Sequence, residues 1–329
     1  MRMLELFTGC GGLARGMQEA GFEHAAFVEF NHDACESLRL NYPADIVHEV
    51  DVRNFDFRLL DSIDAIAGGP PCQPFSLGGL AKGNNDARDM FPQAARAIKE
   101  VSPRGFLFEN VKGLLRKSFA DYFSYTILRL TFPTEVIAPG EDWHRHYERL
   151  QRLSFPDYRG LKYRVEYRLV NAADYGVPQV RERVVIVGIR SDVERVWEWP
   201  EPTTTKEEWR TVRQALAGVR DPRDPSNRIK DHVFVDGARI YPGHTGSDID
   251  KPSKTIKAGG HGVPGGENML RFEDGSVRYM TVYEAKRIQT FPRDYRISGS
   301  WGEAMRQIGN AVPVELARIM GQRLLQTLA

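Results

Sequence analysis

Five short apolar runs, at residues 3–7, 25–29, 46–50, 63–67 and 105–108, are separated by amphipathic stretches that include 13–20, 33–41 and 93–101. Strands that alternate with helical stretches pair side by side through crossovers, so this pattern predicts a parallel sheet with helices on its faces. A further helical stretch is expected at 111–115. Two β-rich runs, 164–171 and 183–189, are expected to pair as a hairpin-like extension. After Arg190 the texture changes: residues 191–276 are rich in Pro, Gly, Asp and Arg, and 259–266 reads almost wholly as loop. Helical periodicity returns at 281–290, where Thr281 and Glu284 have the S/T-x-x-E spacing of a capping box, and again at 314–328. The expected class is α/β. A large domain takes residues 1–190 and 300–329, a smaller loop-rich domain takes 191–276, and 277–299 forms a hinge or return segment. The charged, Pro-containing stretch 131–160 fits neither pattern and is left unassigned.

Composition bounds the class without choosing the function. The 329 residues are 41% hydrophobic and 27% charged, as expected of a soluble enzyme. The N-terminus reads as a first strand rather than a targeting segment, and no apolar run approaches the ~20 residues that span a bilayer. Cys10, Cys35 and Cys72 have neither disulfide-framework nor C-x-x-C spacing, which points to a reducing cytoplasm. The net charge of +1 is uninformative. Residues 203–260 carry eleven Lys/Arg against eight Asp/Glu, which a solvated surface explains as well as a nucleic-acid partner does.

The first expected strand runs into Phe7-Thr8-Gly9-Cys10-Gly11-Gly12-Leu13. Glycines at such a junction permit a tight turn and close backbone approach to a ligand, although the spacing is not the G-x-G-x-x-G dinucleotide fingerprint. Glu29 ends the second strand, where nucleoside-binding sheets place an acid on ribose hydroxyls. Asp51 follows the third, in position to accept from an adenine amino group. Taken singly, the two acids also read as helix caps. Together with the glycine turn they favour an adenosine cofactor with no diphosphate requirement, and S-adenosylmethionine fits that description.

Beyond the fourth strand lies Gly68-Gly69-Pro70-Pro71-Cys72-Gln73-Pro74-Phe75-Ser76. The prolines around Cys72 give it the stiff backbone a nucleophile needs. This run resembles the catalytic motif of the cytosine-5 DNA methyltransferases, of bacterial restriction-modification type, and further matches follow in that family's order. Phe7–Gly12 is similar to its cofactor motif and Glu109-Asn110-Val111 to the motif of its catalytic glutamate. Gln179-Val180-Arg181-Glu182-Arg183 matches its Q-x-R-x-R pattern, and Gly309-Asn310-Ala311-Val312-Pro313 the segment that completes its cofactor pocket. The resemblance covers about 1–190 and 277–329.

It implies a Rossmann-like, S-adenosylmethionine-dependent methyltransferase domain with a loop-rich target-recognition domain. Phe7, Gly9, Cys10, Gly11, Glu29, Asp51, Val52, Pro71, Asn310 and Val312 would bind the cofactor, with Cys10 contributing its backbone. It also implies that the Cys72 thiolate adds to cytosine carbon 6, that Glu109 donates to N3, and that Arg181 and Arg183 serve the base carbonyl or order the site. Arg183 is the better candidate for direct contact, and a purely structural role stays open for Arg181.

Such chemistry requires the base to leave the DNA stack. Residues 77–85, rich in glycine, read as a lid, with Ser76, Lys82 and Arg88 expected near DNA. Lys251-Pro252-Ser253-Lys254-Thr255-Ile256-Lys257 resembles the family's recognition region, so Lys254, Thr255 and Lys257 are expected at double-stranded DNA. His244 and His261 lack metal-ligand spacing, no metal is expected, and Trp197, Trp199 and Trp209 read as packing residues. The expected protein is a monomeric cytoplasmic enzyme, nucleoid-associated while on DNA, with a possible companion restriction endonuclease. Two alternatives remain: methylation of transfer RNA, and a catalytically silent DNA-binding regulator. The second is disfavoured by the complete motifs and by a chain that starts directly at its first strand.

Overall fold

A computed structural model describes residues 1–71, 89–259 and 268–329. Its main sheet contains β1 (Arg2–Leu6), β2 (Glu23–Glu29), β3 (Val47–Glu49), β4 (Ala65–Gly68), β5 (Gly105–Val111), β6 (Tyr163–Asn171) and β7 (Glu182–Arg190). The strand order is β3-β2-β1-β4-β5-β7-β6, and β7 runs antiparallel to both of its neighbours. The predicted hairpin is thus the β6–β7 pair, inserted into the sheet's edge rather than standing apart from it. The order reverses between β1 and β4, which opens a crevice at the carboxyl ends of those strands.

Both sheet faces are covered, which is why the strands read as continuous apolar runs. On one face Leu4 and Leu6 pack with Phe106, Phe108 and helix α3 (Phe91–Val101). On the other, Met3, Ala65, Ala67 and Leu107 meet helix α1 (Gly12–Ala20) and the C-terminal helix at Val314–Leu328. Helix α2 (His32–Arg39) closes a third apolar cluster around Phe27, Cys35 and Tyr295.

The segment expected as a helix at 111–115 is instead the end of β5 followed by one 3-10 turn at Lys112–Leu115. Val111 pairs with Arg183, so sheet pairing outcompetes a helix too short to propagate. The unassigned stretch holds the end of α4 (Ala120–Thr131) and all of α5 (Trp143–Gln151). The two helices are joined by a 2.8 Å hydrogen bond between Tyr125 Oη and His146 Nδ1. Among the described residues no helix is long and apolar enough to cross a membrane.

The loop-rich part contains α6 (Val212–Ala215) and a small sheet of β8 (Ser247–Asp248), β9 (Met269–Arg271) and β10 (Val277–Tyr279). Helix α7 (Val282–Ile288) follows, with both capping-box bonds between Thr281 and Glu284 formed. Next come α8 (Trp301–Asn310) and α9 (Val314–Leu328). Apolar packing does not follow the expected boundaries residue by residue. Val193 and Trp197 lie in the cluster under α9, whereas Val212, Ile256 and Leu270 share a cluster with Met305 and Ile308 of α8. Trp197 packs edge-on against Trp199, and the Trp209 indole donates to Asp174, both packing roles.

Helices α1 and α9 approach closely at Gly16, where an added Cβ would lie 2.4 Å from the Ala317 Cβ and 2.5 Å from the Val314 carbonyl. Gly16→Ala is therefore expected to cost about 1–3 kcal/mol by overpacking, read as a lower urea midpoint at unchanged slope. Gly302→Ala, with nothing within 4 Å of its new Cβ, is expected to leave the midpoint equal or higher.

Candidate active site

The crevice at the β1/β4 switch is a cleft of about 670 Å³. Phe7, Gly9, Glu29, Asp51, Val52, Pro71, Asn310 and Val312 line it, as does Glu109, so eight of the residues expected around the cofactor share one cavity with the expected catalytic acid. Cys10 and Gly11 sit behind the turn rather than on the cleft wall. Burial pushes the Cys10 thiol up to about 12, which leaves its backbone as the useful part.

The turn after β1 is held by the second strand. Gly9 N–H donates to Glu29 Oε2 at 2.8 Å, while Glu29 Oε1 accepts from the N–H groups of Phe30 and Asn31 at 2.9 and 2.8 Å. Each carboxylate oxygen retains acceptor capacity, so the cap-like role of Glu29 and a ligand hydroxyl are compatible. Phe7, at the end of β1, has φ 55°, a left-handed backbone conformation that non-glycine residues adopt mainly where function or tight packing requires it. Asp51 does cap, accepting from Arg53 N–H, and its carboxylate also takes the Arg53 guanidinium. Those bonds hold its pKa below the ordinary aspartate value, so it faces the cleft as an anion.

Four further features of this cavity escaped the sequence reading. Phe30 is 72% exposed at the rim, an uncommon place for a large aromatic side chain without a partner. Only its place directly after the strand-ending acid marks it in the sequence. Glu5 is fully buried and lines the same cleft; Oε2 meets His24 Nε2 at 3.2 Å, Oε1 has no protein partner, and burial raises its pKa against the opposing His24. Arg306 and Gln307 of α8 also reach the wall. A ligand with a hydrogen-bonding ribose, an aromatic base and a polar end fits this donor and acceptor set.

At the catalytic end, Arg183 Nε lies 2.6 Å from Glu109 Oε1 in a largely buried ion pair between β7 and β5. Asn110 Nδ2 donates to the Pro70 carbonyl at 2.8 Å, and Met90 N–H donates to the Pro71 carbonyl at 3.1 Å. Pro71 and Met90 thus meet on the cleft that Glu109 lines, and a Cβ on Gly69 would sit 3.8 Å from Glu109 Oε2. Cys72, Ser76, Lys82 and Arg88, and the lid expected at 77–85, fall outside the described residues, as does His261.

Arg181 does not face the cleft as a free donor. It is 1% exposed, and its guanidinium donates to the carbonyls of Ile256, Gly309 and Ala311 at 3.2, 2.8 and 3.0 Å. Burial and the neighbouring Arg183 cation press its pKa below the ordinary value, with Glu109 opposing. The geometry favours the ordering role for Arg181 over contact with a base.

The expected recognition run lies alongside the same segment. Ser253 exchanges backbone hydrogen bonds with Pro178 and Val180, and Ile256 N–H donates to Gln179 Oε1 at 3.1 Å. Thr255 spends its hydroxyl on the Val180 carbonyl at 2.8 Å, because that pairing brings the two within reach; this leaves it less suited to a DNA contact than expected. Lys254 and Lys257 are exposed on either side of buried Ile256. Among the described residues, His32, Glu36 and Glu49 approach one another closely enough to hold a metal ion, but Arg39 already donates to both carboxylates.

A sheet of this order, with acids at the ends of β1, β2 and β3 around one cleft, defines an S-adenosylmethionine-dependent methyltransferase. The profile of the family described as C-5 cytosine-specific DNA methylase matches residues 1–131 and 154–326, skipping most of the insertion that carries α5. The chain belongs to that family. It is a DNA cytosine-5 methyltransferase whose methyl donor is S-adenosylmethionine. The type II methyltransferase M.NgoMIV of Neisseria gonorrhoeae is 34% identical over 99% of this chain and 97% of its own length. The type II methyltransferase M.PspPI of Psychrobacter sp. is 33% identical over 99% of this chain and 79% of its own. Among solved structures, the S. pombe Dnmt2 methyltransferase superposes with a TM-score of 0.67 at 19% identity, covering 99% of this chain and 98% of that one, and shares the fold.

Glu29→Gln separates cap from ligand contact. It is expected to weaken S-adenosylmethionine binding roughly ten- to a hundredfold by calorimetric titration, as for a lost hydrogen bond to a charged acceptor. A fall in melting temperature with unchanged affinity would assign Glu29 to the turn alone.

Proposed function

We propose that Cys72 is the nucleophile of this enzyme, that Glu109 is its proton donor to the base, and that Arg183 orients Glu109 and reaches the base carbonyl. The observation that carries this reading is the Glu109–Arg183 pair, of which Glu109 lines the cleft that also holds Glu29, Asp51 and the Pro71 that precedes Cys72. The other two cysteines are poor nucleophiles: Cys10 and Cys35 are buried, and burial pushes each thiol up to about 12.

Carbon 5 of cytosine is too weak a nucleophile to react unaided. The Cys72 thiolate adds to carbon 6, forming the sulfur–carbon bond and shifting an electron pair toward carbon 5, while Glu109, which takes up a proton when the base binds, donates it at N3 to offset the charge that develops in the ring. Bound S-adenosylmethionine supplies an electrophilic methyl group to carbon 5. The carbon-5 proton then leaves, with water as the acceptor, the returning electron pair expels the Cys72 thiolate, and N3 gives its proton back to Glu109, which restores the ring and the acid. The target base is flipped from the duplex to reach the cleft.

We assign the residues around 191–276 to target recognition, with Lys254 and Lys257 at the DNA and Arg181 ordering the junction. The near full-length similarity to type II methyltransferases supports a modification enzyme. We further propose that it works as a cytoplasmic monomer, with a possible companion endonuclease acting on the same site.

The test is transfer of labelled methyl to mixed-sequence duplex DNA and to total transfer RNA, with the modified base identified after digestion. Wild type is expected to yield 5-methylcytosine in DNA and Cys72→Ala none. Glu109→Gln is expected to lower turnover about 10²–10⁴-fold with cofactor affinity retained. Label confined to RNA would reassign the substrate. Measurable cofactor and DNA binding without label in either would favour a silent regulator.

A further inference from the structure

The turn that follows β1 is soft by composition, with Gly9 and Gly11 both in the left-handed region at φ 57° and 86°. Such a turn keeps one shape only if its surroundings impose it. Glu29 holds one side through the Gly9 N–H. The other side is held from far along the chain: Tyr295 is 3% exposed, and its hydroxyl donates to the Cys10 carbonyl at 2.6 Å. The contact is tight, since a Cβ on Gly11 would come 2.4 Å from that hydroxyl oxygen.

The segment that carries Tyr295 also holds the opposite wall of the cleft. Gln289, fully buried just after α7, donates from Nε2 to the carbonyls of Ile308 and Ala311 at 2.7 and 3.1 Å, and its Oε1 accepts from Gln179 at 3.0 Å. Lys286, buried on α7, fixes the segment itself by donating to the Tyr295 carbonyl at 2.5 Å and pairing with Asp231 at 2.7 Å. Asp231 belongs to the loop-rich part of the chain. One short stretch, residues 286–295, therefore sets the separation between the glycine turn and the Asn310–Val312 wall.

We infer that Tyr295 is a positioning residue for the methyl donor. It touches no ligand; its hydroxyl holds the Cys10 carbonyl and thereby the shape of the turn at which the cofactor binds. The inference rests on the assignment of this cleft to S-adenosylmethionine. Removal of the hydroxyl relaxes the turn and weakens cofactor binding, while the groups at the catalytic end, Glu109 and Arg183, keep their own contacts. Saturating cofactor selects the native turn again, so turnover recovers.

The experiment compares wild type, Tyr295→Phe and Tyr163→Phe. The last removes another buried tyrosine hydroxyl from a backbone carbonyl, that of Pro103, away from the cleft. Cofactor Kd by titration calorimetry and KM and kcat for both substrates are measured. Tyr295→Phe is expected to raise the Kd and KM for S-adenosylmethionine roughly five- to tenfold, the equivalent of one buried hydrogen bond, with kcat and the DNA KM within twofold of wild type. Tyr163→Phe is expected to leave all four constants within twofold. An unchanged cofactor Kd in Tyr295→Phe overturns the inference. So does a parallel loss in kcat and DNA binding that Tyr163→Phe reproduces. Wild type that binds no S-adenosylmethionine overturns the cleft assignment beneath it.

Discussion

A buried guanidinium joins the parts of this enzyme that must act together. Arg181 carries its charge into the interior, where desolvation alone would be prohibitive, and offsets that cost by donating to three backbone carbonyls. Those carbonyls belong to Ile256 in the expected recognition run and to Gly309 and Ala311 beside the cofactor wall. The side chain two residues on, Arg183, pairs with Glu109. A single turn of chain at the start of β7 thus fixes Glu109, the Gly309–Ala311 segment and the run around Ile256 relative to one another. Without the guanidinium each carbonyl loses a donor, and Ala311 keeps that of Gln289, so the segments are held by the same bonds that keep the charge buried.

The sheet accounts for where that junction lies. Reversal of strand order between β1 and β4 gathers strand ends at one edge, and β7 enters antiparallel next to β5, bringing Arg183 opposite Val111 and within reach of Glu109. The acids proposed for the cofactor come from the ends of β2 and β3, the proposed proton donor from β5, and the proposed nucleophile from the segment after β4. No one element carries the chemistry. Its precision comes from a sheet packed on both faces, with α1 and α9 locked together where Gly16 lets them touch.

Much of this fold is legible in the amino-acid sequence. The apolar runs marked the strands because a sheet buried on both faces needs them. Thr281 and Glu284 marked a helix start because both groups of a capping box lie three residues apart. Glu29 and Asp51 stood out because acids at strand ends are costly unless they bind something. Other features left no local trace. The hydroxyl of Tyr295 and the amide of Gln289 act on partners hundreds or tens of residues away, and nothing in their neighbourhood distinguishes them from core residues. The motif favours Arg183 for direct contact and leaves a structural role open for Arg181, and the sheet turns Arg181 inward to carbonyls and Arg183 toward Glu109. Helix α5 hid in a charged stretch because its buried face is narrow, essentially His146 and Leu150. Phe30 was missed because an exposed aromatic has no pattern of its own.

With Cys72 as the proposed nucleophile, a transient bond forms to carbon 6, and after methyl transfer loss of the carbon-5 proton is what releases it. Duplex DNA in which cytosine is replaced by 5-fluorocytosine tests it directly, because fluorine cannot depart as the proton does and the adduct is trapped after methyl transfer. A denaturant-resistant enzyme–DNA complex that requires S-adenosylmethionine is expected, with the linked peptide carrying its modification at Cys72. Methyl transfer to that DNA without a covalent complex, or a complex linked at Cys10 or Cys35, would contradict it.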